Sequence, residues 1–346
     1  MAQSVTNEYG FSVIIATYNG APIIEKTLTS LKEIHTVPGL PMEILLVDNN
    51  STDDTIERAL STWQGDCELR VMKELRQGTG YAKYHGMKEA RYSYLGIVDQ
   101  DNWVDENWLE KSVQYLDEAR DVAIVFGRGI PVFEALKPEW FDRYENNFAV
   151  GRQLSHNGVA VSNHFFYAAG SVMRKAAFDE LNSFGFTPLL QSRARETLLS
   201  GEDTELQILL YLLGWNLHYQ DDLNFYHIMP TKRLTRDYFI KLRKGLGATS
   251  VYLNLYRNYM DEHFQRSQRL DMGWEALLFD SFKRLINDPA AIIGSFFSRH
   301  TSNYRVAKFW SNLGEFEERL RVFSVLKTIK ENLYSWLDSM PKVYRS

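Results

Sequence analysis

Short apolar runs that end in polar turns alternate with helical patterns along the first half of this chain. That alternation limits what it can fold into. The runs cover residues 11–17, 42–47, 68–72 and 94–98. Continuous apolar runs of this length suit strands buried on both faces, and such strands need helices above and below them. Helical spacing follows each run: from Pro22 through Leu28 and Leu31, from about Asp53, over 81–91 and over 106–119. A fifth strand is expected at 122–126. The pattern predicts an α/β fold with a mostly parallel central sheet. Residues 134–158 break the rhythm and read as a long loop with one short helix. A strand near 164–172, helices at 175–181 and 203–213, and strands near 215–219 and 223–226 follow. After Pro230 the pattern is helical almost throughout. The expected organisation is therefore an α/β domain over 1–230 and a helical extension over 231–346.

The fourth run leads directly into Asp99-Gln100-Asp101. Two carboxylates one residue apart at the end of a buried strand need cations, donors or water. A divalent metal carrying a nucleotide diphosphate would supply that partner, because hard cations prefer carboxylate and phosphate oxygens. An Asp-x-Asp triplet also occurs as a plain turn or helix cap. Its position favours the metal reading, since open α/β sheets bind ligands at the carboxyl ends of their strands.

Three further segments carry candidate chemistry. Asp48 ends the second run, where a carboxylate can accept from the N3–H of a uracil-type ring or from ribose, or can simply close a turn. Gly78-Thr79-Gly80 precedes a helix. Glycine allows close backbone approach there, and a helix start favours anions. Lys83 stands where a dinucleotide fingerprint would have its third glycine, so this is neither that motif nor a P-loop. Lys83 is placed to meet a phosphate or to be solvated. Ser200-Gly201-Glu202-Asp203 opens another helix and resembles a capping box, yet Glu202-Asp203 is also a second acidic pair. Displacement at a sugar carbon needs a base for the acceptor's proton.

These motifs, in this order, resemble family 2 glycosyltransferases. The resemblance rests on Ser12-Val13-Ile14-Ile15-Ala16-Thr17-Tyr18-Asn19, Val47-Asp48-Asn49-Asn50-Ser51-Thr52-Asp53, the segment from Gly78 to Gly86, Asp99-Gln100-Asp101, Gly170-Ser171-Val172-Met173-Arg174-Lys175 and Gly201-Glu202-Asp203. It covers about residues 10–230. It implies the GT-A fold, a nucleotide-diphosphate sugar donor, a divalent metal (Mn2+ or Mg2+) and inversion at the anomeric carbon. By position, Thr17, Tyr18 and Asp48 resemble the nucleoside pocket, with Gly78 and Lys83 on the donor side. Asp99 and Asp101 resemble the metal and diphosphate motif, and Asp203 resembles the catalytic base with Glu202 beside it. His227 matches a position that in some relatives contributes to metal or diphosphate binding; a satisfied buried imidazole is the alternative. The loop holding Trp140 and Tyr144 sits where relatives hold acceptor. The Gln-x-x-Arg-Trp motif of processive synthases is absent, with Thr235-Arg236-Asp237-Tyr238-Phe239 in its place, which implies addition of a single sugar. A UDP-sugar is the favoured donor, from the Asp48 argument, and the acceptor is a saccharide or lipid-linked saccharide.

Two other classes are weighed against this. A sugar nucleotidyltransferase would carry a Gly-rich phosphate loop with Arg and Lys after its first strand, where this chain has Ala16-Thr17-Tyr18-Asn19-Gly20. A non-catalytic carbohydrate-binding protein would have little use for two acidic pairs.

Composition bounds the setting. A single cysteine, Cys67, excludes an intrachain disulfide framework and fits a reducing compartment. No basic-then-apolar leader and no apolar run of spanning length is present, so a cytoplasmic protein is expected. Net charge is −5, unevenly spread: 20 Lys and Arg stand against 12 Asp and Glu from Pro230 onward, and 19 against 32 before it. No nucleic-acid partner is expected. The basic extension, with an apolar stripe at Leu326, Ile329, Leu333 and Trp336–Leu337, is open to three readings. It could contact the inner face of a membrane, pack on the catalytic domain, or pair with a second subunit as a homo-oligomer.

Overall fold

The computed structural model describes residues 8–160, 164–190, 198–263, 273–297 and 304–341. Its strands are β1 (Glu8–Thr17), β2 (Met42–Asp48), β3 (Glu68–Lys73), β4 (Tyr92–Asp99), β5 (Asn102–Val104), β6 (Val122–Phe133), β7 (Gly158–Val159), β8 (Val172–Arg174) and β9 (Asn216–Met229). Helices α1 (Ile24–Lys32), α2 (Thr55–Thr62), α3 (Thr79–Glu89) and α4 (Trp108–Glu118) alternate with the early strands. Helices α5 (Phe141–Tyr144), α6 (Lys175–Ser183) and α7 (Glu202–Leu212) come later. The C-terminal part holds α8 (Arg236–His263), α9 (Trp274–Ile286), α10 (Pro289–Phe297), α11 (Tyr304–Val322) and α12 (Leu326–Ser339).

The strands form one sheet in the order β3-β2-β1-β4-β8-β6-β9-β5, with β7 on β9. Parallel pairing holds from β3 to β4. Beyond β4 the sheet is mixed, because β8 runs antiparallel between β4 and β6 and β5 runs antiparallel to β9. The expected strand at 164–172 is reduced to the short β8, and the two strands expected at 215–226 are one long β9.

Register sets the functional edge. Thr17 pairs with Asp48 and Ala16 with Asp99, so β1, β2 and β4 end on one line. Asn102 pairs with His227 across β5 and β9, which brings Asp101 beside His227. Apolar side chains fill both faces of these strands, as their continuous runs require: Val13, Ile14, Ile15, Leu45, Leu46 and Val98 are fully buried.

The C-terminal helices share the core of the sheet. Leu333 and Leu337 of α12 belong to the same buried cluster as Leu95, Phe126, Phe178 and Tyr256. Trp336 Nε1 donates to the Phe184 carbonyl at 2.7 Å, and Tyr334 Oη to that of Leu255 at 3.2 Å. The stripe on α12 therefore packs inward rather than facing a membrane. Several basic groups of the extension are also held internally: Arg236 bonds the Ser295 carbonyl, Arg243 bonds Asn147, and Arg284 pairs with Glu315. Arg299 lies outside the described residues. Among the described residues no helix is long and apolar enough to cross a membrane.

Helices α8 and α11 cross at glycines. A Cβ on Gly247 would stand 1.9 Å from the Ser311 carbonyl oxygen, and one on Gly314 would stand 2.0 Å from that of Lys244. Alanine in a helix interior ordinarily stabilises by roughly 0.5–1 kcal/mol over glycine. Here the two backbones must part, and overpacking costs about 1–3 kcal/mol. Gly247→Ala and Gly314→Ala are each expected to lower the thermal unfolding midpoint. A raised midpoint in either would show that the crossing tolerates the methyl group.

Candidate active site

The carboxyl ends of β1, β2 and β4, the start of α7 and one face of α8 enclose a cavity of about 810 Å3. Thr17, Tyr18, Gly78, Lys83, Asp99, Asp101, Glu202, Asp203 and His227 all line it. Residues as far apart in sequence as Thr17 and His227 thus meet in one space.

Lys83 is the pivot. Helix α3 carries its side chain inward until it is only 6% exposed. Its Nζ lies 3.0 Å from Asp99 Oδ1 and 3.9 Å from Asp203 Oδ1. Burial alone would discharge the ammonium, but Asp99, Asp203 and Glu202 outweigh it and push the Lys83 pKa upward. A second cation serves the other acid. Arg233 Nη2 donates to Asp101 Oδ2 at 2.6 Å, while Nη1 donates to His227 Nε2 at 2.7 Å. His227 Nε2 and Asp101 Oδ2 are 3.4 Å apart.

The middle residue of the acidic triplet is structural. Gln100 Oε1 accepts from Thr17 Oγ1 at 2.6 Å and from the Tyr18 amide at 3.0 Å, and Gln100 Nε2 donates to the Tyr18 carbonyl at 3.2 Å. This clamps the loop after β1 to the loop after β4. Asn49 performs a similar task one strand over. Its Nδ2 donates to the carbonyls of Glu74 and Arg76, and its Oδ1 accepts from the Gly78 amide at 2.7 Å. Gly78 has φ of 142°, a value L side chains rarely adopt, so glycine is needed where that loop turns into α3.

Four expected site residues find other contacts in the structure. Asp48 is not among the lining residues; its Oδ1 accepts from the Ser51 amide at 2.9 Å, the turn role, and Asn49 takes its place on the cavity wall. Trp140 and Tyr144 do not line the cavity either. They pack with Phe141, Phe148 and Phe239 in an aromatic cluster under α8, where ring burial outweighs exposure to a ligand. From that loop Asn146, Asn147, Phe148 and Ala149 reach the cavity instead. Asp99 does not converge with Asp101 and His227, because Lys83 takes its carboxylate. Among the described residues no three His, Cys, Asp or Glu side chains form a metal cluster.

The far wall is a stripe of α8. Leu242, Leu246, Ser250, Leu253 and Arg257 line the cavity at three- and four-residue spacing, one face of a helix. Asp203 lines the same cavity from the start of α7, and its Oδ2 accepts from the Ala168 amide at 3.2 Å. Glu202 Oε2 accepts from the Gly201 amide at 3.0 Å.

A family model of Glycosyl transferase family 2 matches residues 12–181. Over that span, just under half of its length, the chain is similar to glycosyltransferase family 2. It is similar to poly(ribitol-phosphate) beta-N-acetylglucosaminyltransferase TarS of Staphylococcus aureus, with 30% identity over 139 residues, 37% of this chain and 24% of that one. The match thus spans about a quarter of that relative's length. Among solved structures, S. aureus TarS 1-349 in complex with UDP aligns over 90% of this chain and 91% of that one, with TM-score 0.51 and 18% identity. Mannosyltransferase PcManGT from Pyrobaculum calidifontis, in complex with GDP-Man and Mn2+, aligns over 97% and 89%, with TM-score 0.51 and 16% identity. These likenesses establish the GT-A fold.

Glu205 fixes α7 to its surroundings. Its fully buried carboxylate accepts from the Leu189 and Leu190 amides at 2.8 and 2.9 Å and from the Tyr256 hydroxyl of α8. Burial pushes the Glu205 carboxyl up to about 7, against those donors. The unfolded chain releases this proton in the ordinary carboxylate range, whereas the folded chain holds it until about pH 7. This group's stabilising contribution is therefore present at low pH and lost as pH rises through that window. Glu205→Gln carries no titrating proton. The stability difference between wild type and Glu205→Gln is expected to shrink from about pH 5 to about pH 8 in thermal unfolding. A difference that stays constant or grows would contradict the assignment.

Proposed function

We propose that this chain transfers one sugar from a nucleotide-diphosphate sugar to a saccharide or lipid-linked acceptor, inverting the anomeric centre. One observation carries the reading: Asp99, Asp101 and Asp203 line a single cavity, with Lys83 between Asp99 and Asp203. The nucleoside end lies toward Thr17, Tyr18, Asn49 and Gly78, and the diphosphate toward Asp101, His227 and Lys83. Asp48 Oδ1 holds the Ser51 amide; support for UDP comes from TarS, which has been solved with UDP and UDP-GlcNAc, while PcManGT holds GDP-Man.

The donor set fits a divalent cation. One carboxylate oxygen and one imidazole nitrogen approach within 3.4 Å, and ions of this class commonly take one or two protein ligands and complete their shell with phosphates and water. Asp101 and His227 would hold Mn2+ or Mg2+, which supplies neutralisation of the charge on the leaving diphosphate. Asp203 takes the acceptor's proton. The acceptor oxygen forms its bond to the anomeric carbon as the bond to diphosphate breaks, and the electron pair of that bond leaves with the diphosphate. Lys83 supplies the counter-charge beside Asp99 and Asp203 before the donor arrives. The α8 stripe and Phe148 form the acceptor side.

Asp203→Asn is expected to leave the shift in unfolding midpoint caused by UDP with Mn2+ nearly unchanged, while cutting turnover by roughly 10²-fold or more. Lost nucleotide affinity with turnover retained would make Asp203 a binding residue.

The proposal places the protein at the cytoplasmic face of a membrane, near a lipid-linked acceptor. The surface that supports this is α9 and α10, where Phe279, Phe282, Ile286 and Ile293 are exposed beside Lys283. Co-sedimentation with anionic liposomes at low salt, reduced by Phe279→Ser with Phe282→Ser, is the expected result. Equal recovery in the supernatant with anionic, neutral and no liposomes would remove this part of the reading.

A further inference from the structure

Arg233 belongs to none of the motifs that define the site. It sits on the short turn Thr231–Leu234 between β9 and α8. Its side chain is buried, with 11% exposure. Its two terminal nitrogens lie 2.6 Å from Asp101 Oδ2 and 2.7 Å from His227 Nε2. Those are the two atoms that would ligate a divalent cation. Metal–ligand bonds to such atoms are about 2.0–2.2 Å long. A cation bonded to both atoms would fall within van der Waals contact of the guanidinium, with like charges opposed. Arg233 and a metal ion therefore compete for one place.

The lone pair of His227 Nε2 is engaged as well. Arginine has no acceptor and stays protonated, so Nε2 accepts from it and the ring proton of the neutral imidazole sits on Nδ1. Nδ1 is buried with no hydrogen-bond partner among the described residues. The ring is held by Arg233 in the tautomer a metal would use.

Moving the guanidinium away without a new partner would strand a buried cation and is unfavourable. A diphosphate changes this, because its oxygens match the planar fork of a guanidinium. We propose that Arg233 is a resident cation that keeps divalent metal off Asp101 and His227 until a nucleoside diphosphate arrives, and then transfers its bonds to that diphosphate. Metal and diphosphate consequently bind with positive coupling. The inference rests on the donor site proposed above and assigns its order of assembly.

The test is a calorimetric titration of MnCl2 into the full chain, with and without saturating UDP. Wild type is expected to bind Mn2+ weakly alone and about 10-fold or more tightly with UDP, within the usual range for coupled ligands. Arg233→Met is expected to bind Mn2+ alone about 10-fold more tightly than wild type and to lose most of the coupling. Asp101→Asn should abolish the Mn2+ signal in both conditions. Arg233→Gln provides a polar replacement should the methionine variant misfold. Equal Mn2+ affinities in wild type and both Arg233 variants, measured without nucleotide, would overturn the proposal. Failure of wild type to bind UDP at all would instead overturn the donor reading, and the Mn2+ comparison would still decide the role of Arg233.

Discussion

A buried ammonium between two carboxylates from different elements holds this site together. Lys83 on α3 faces Asp99 at the end of β4 and Asp203 at the start of α7. Lys83 supplies a counter-charge to both acids and ties α3 to the end of β4 and the start of α7. Removing one member of such a group leaves an uncompensated charge, which is strongly destabilising. Arg233 performs the same service for Asp101. The acidic edge is thus balanced by two cations, Arg233 beside Asp101 and His227 and Lys83 beside Asp99 and Asp203. Charge neutralisation and geometry are here one property, since the cations that balance the acids also set their spacing.

Much of this was legible in the sequence because it is local. The apolar runs and their terminal turns gave the strands of the parallel half within a few residues, and the acidic pairs stood at strand and helix ends as expected. What was not legible depends on partners far along the chain. Gln100 reads as a spacer between two aspartates, and only the adjacency of β1 and β4 makes it a clamp on Thr17 and Tyr18. Asp48 followed the pattern of a ligand residue, but its carboxylate found the Ser51 amide three residues on, a competition that short polar side chains often win. Trp140 and Tyr144 suited stacking on a sugar, yet the same ring area suits a core, and α8 arrived to cover it. Arg233 carried no signal of its own beyond its position soon after His227.

The cavity has two walls of different origin. One is made of loops at strand ends, whose positions are fixed by many cross-links: Gln100, Asn49, Lys83 and the register of β1, β2 and β4. The other is a single helical stripe whose residues recur at regular intervals. In such an arrangement the charged groups and the helical wall of the cavity are written in different stretches of the chain. Exchanges along Leu242, Leu246, Ser250, Leu253 and Arg257 reshape one wall while the charged edge keeps its form. Drift at five positions of one helix can therefore remodel half of the cavity while the charged half is inherited intact.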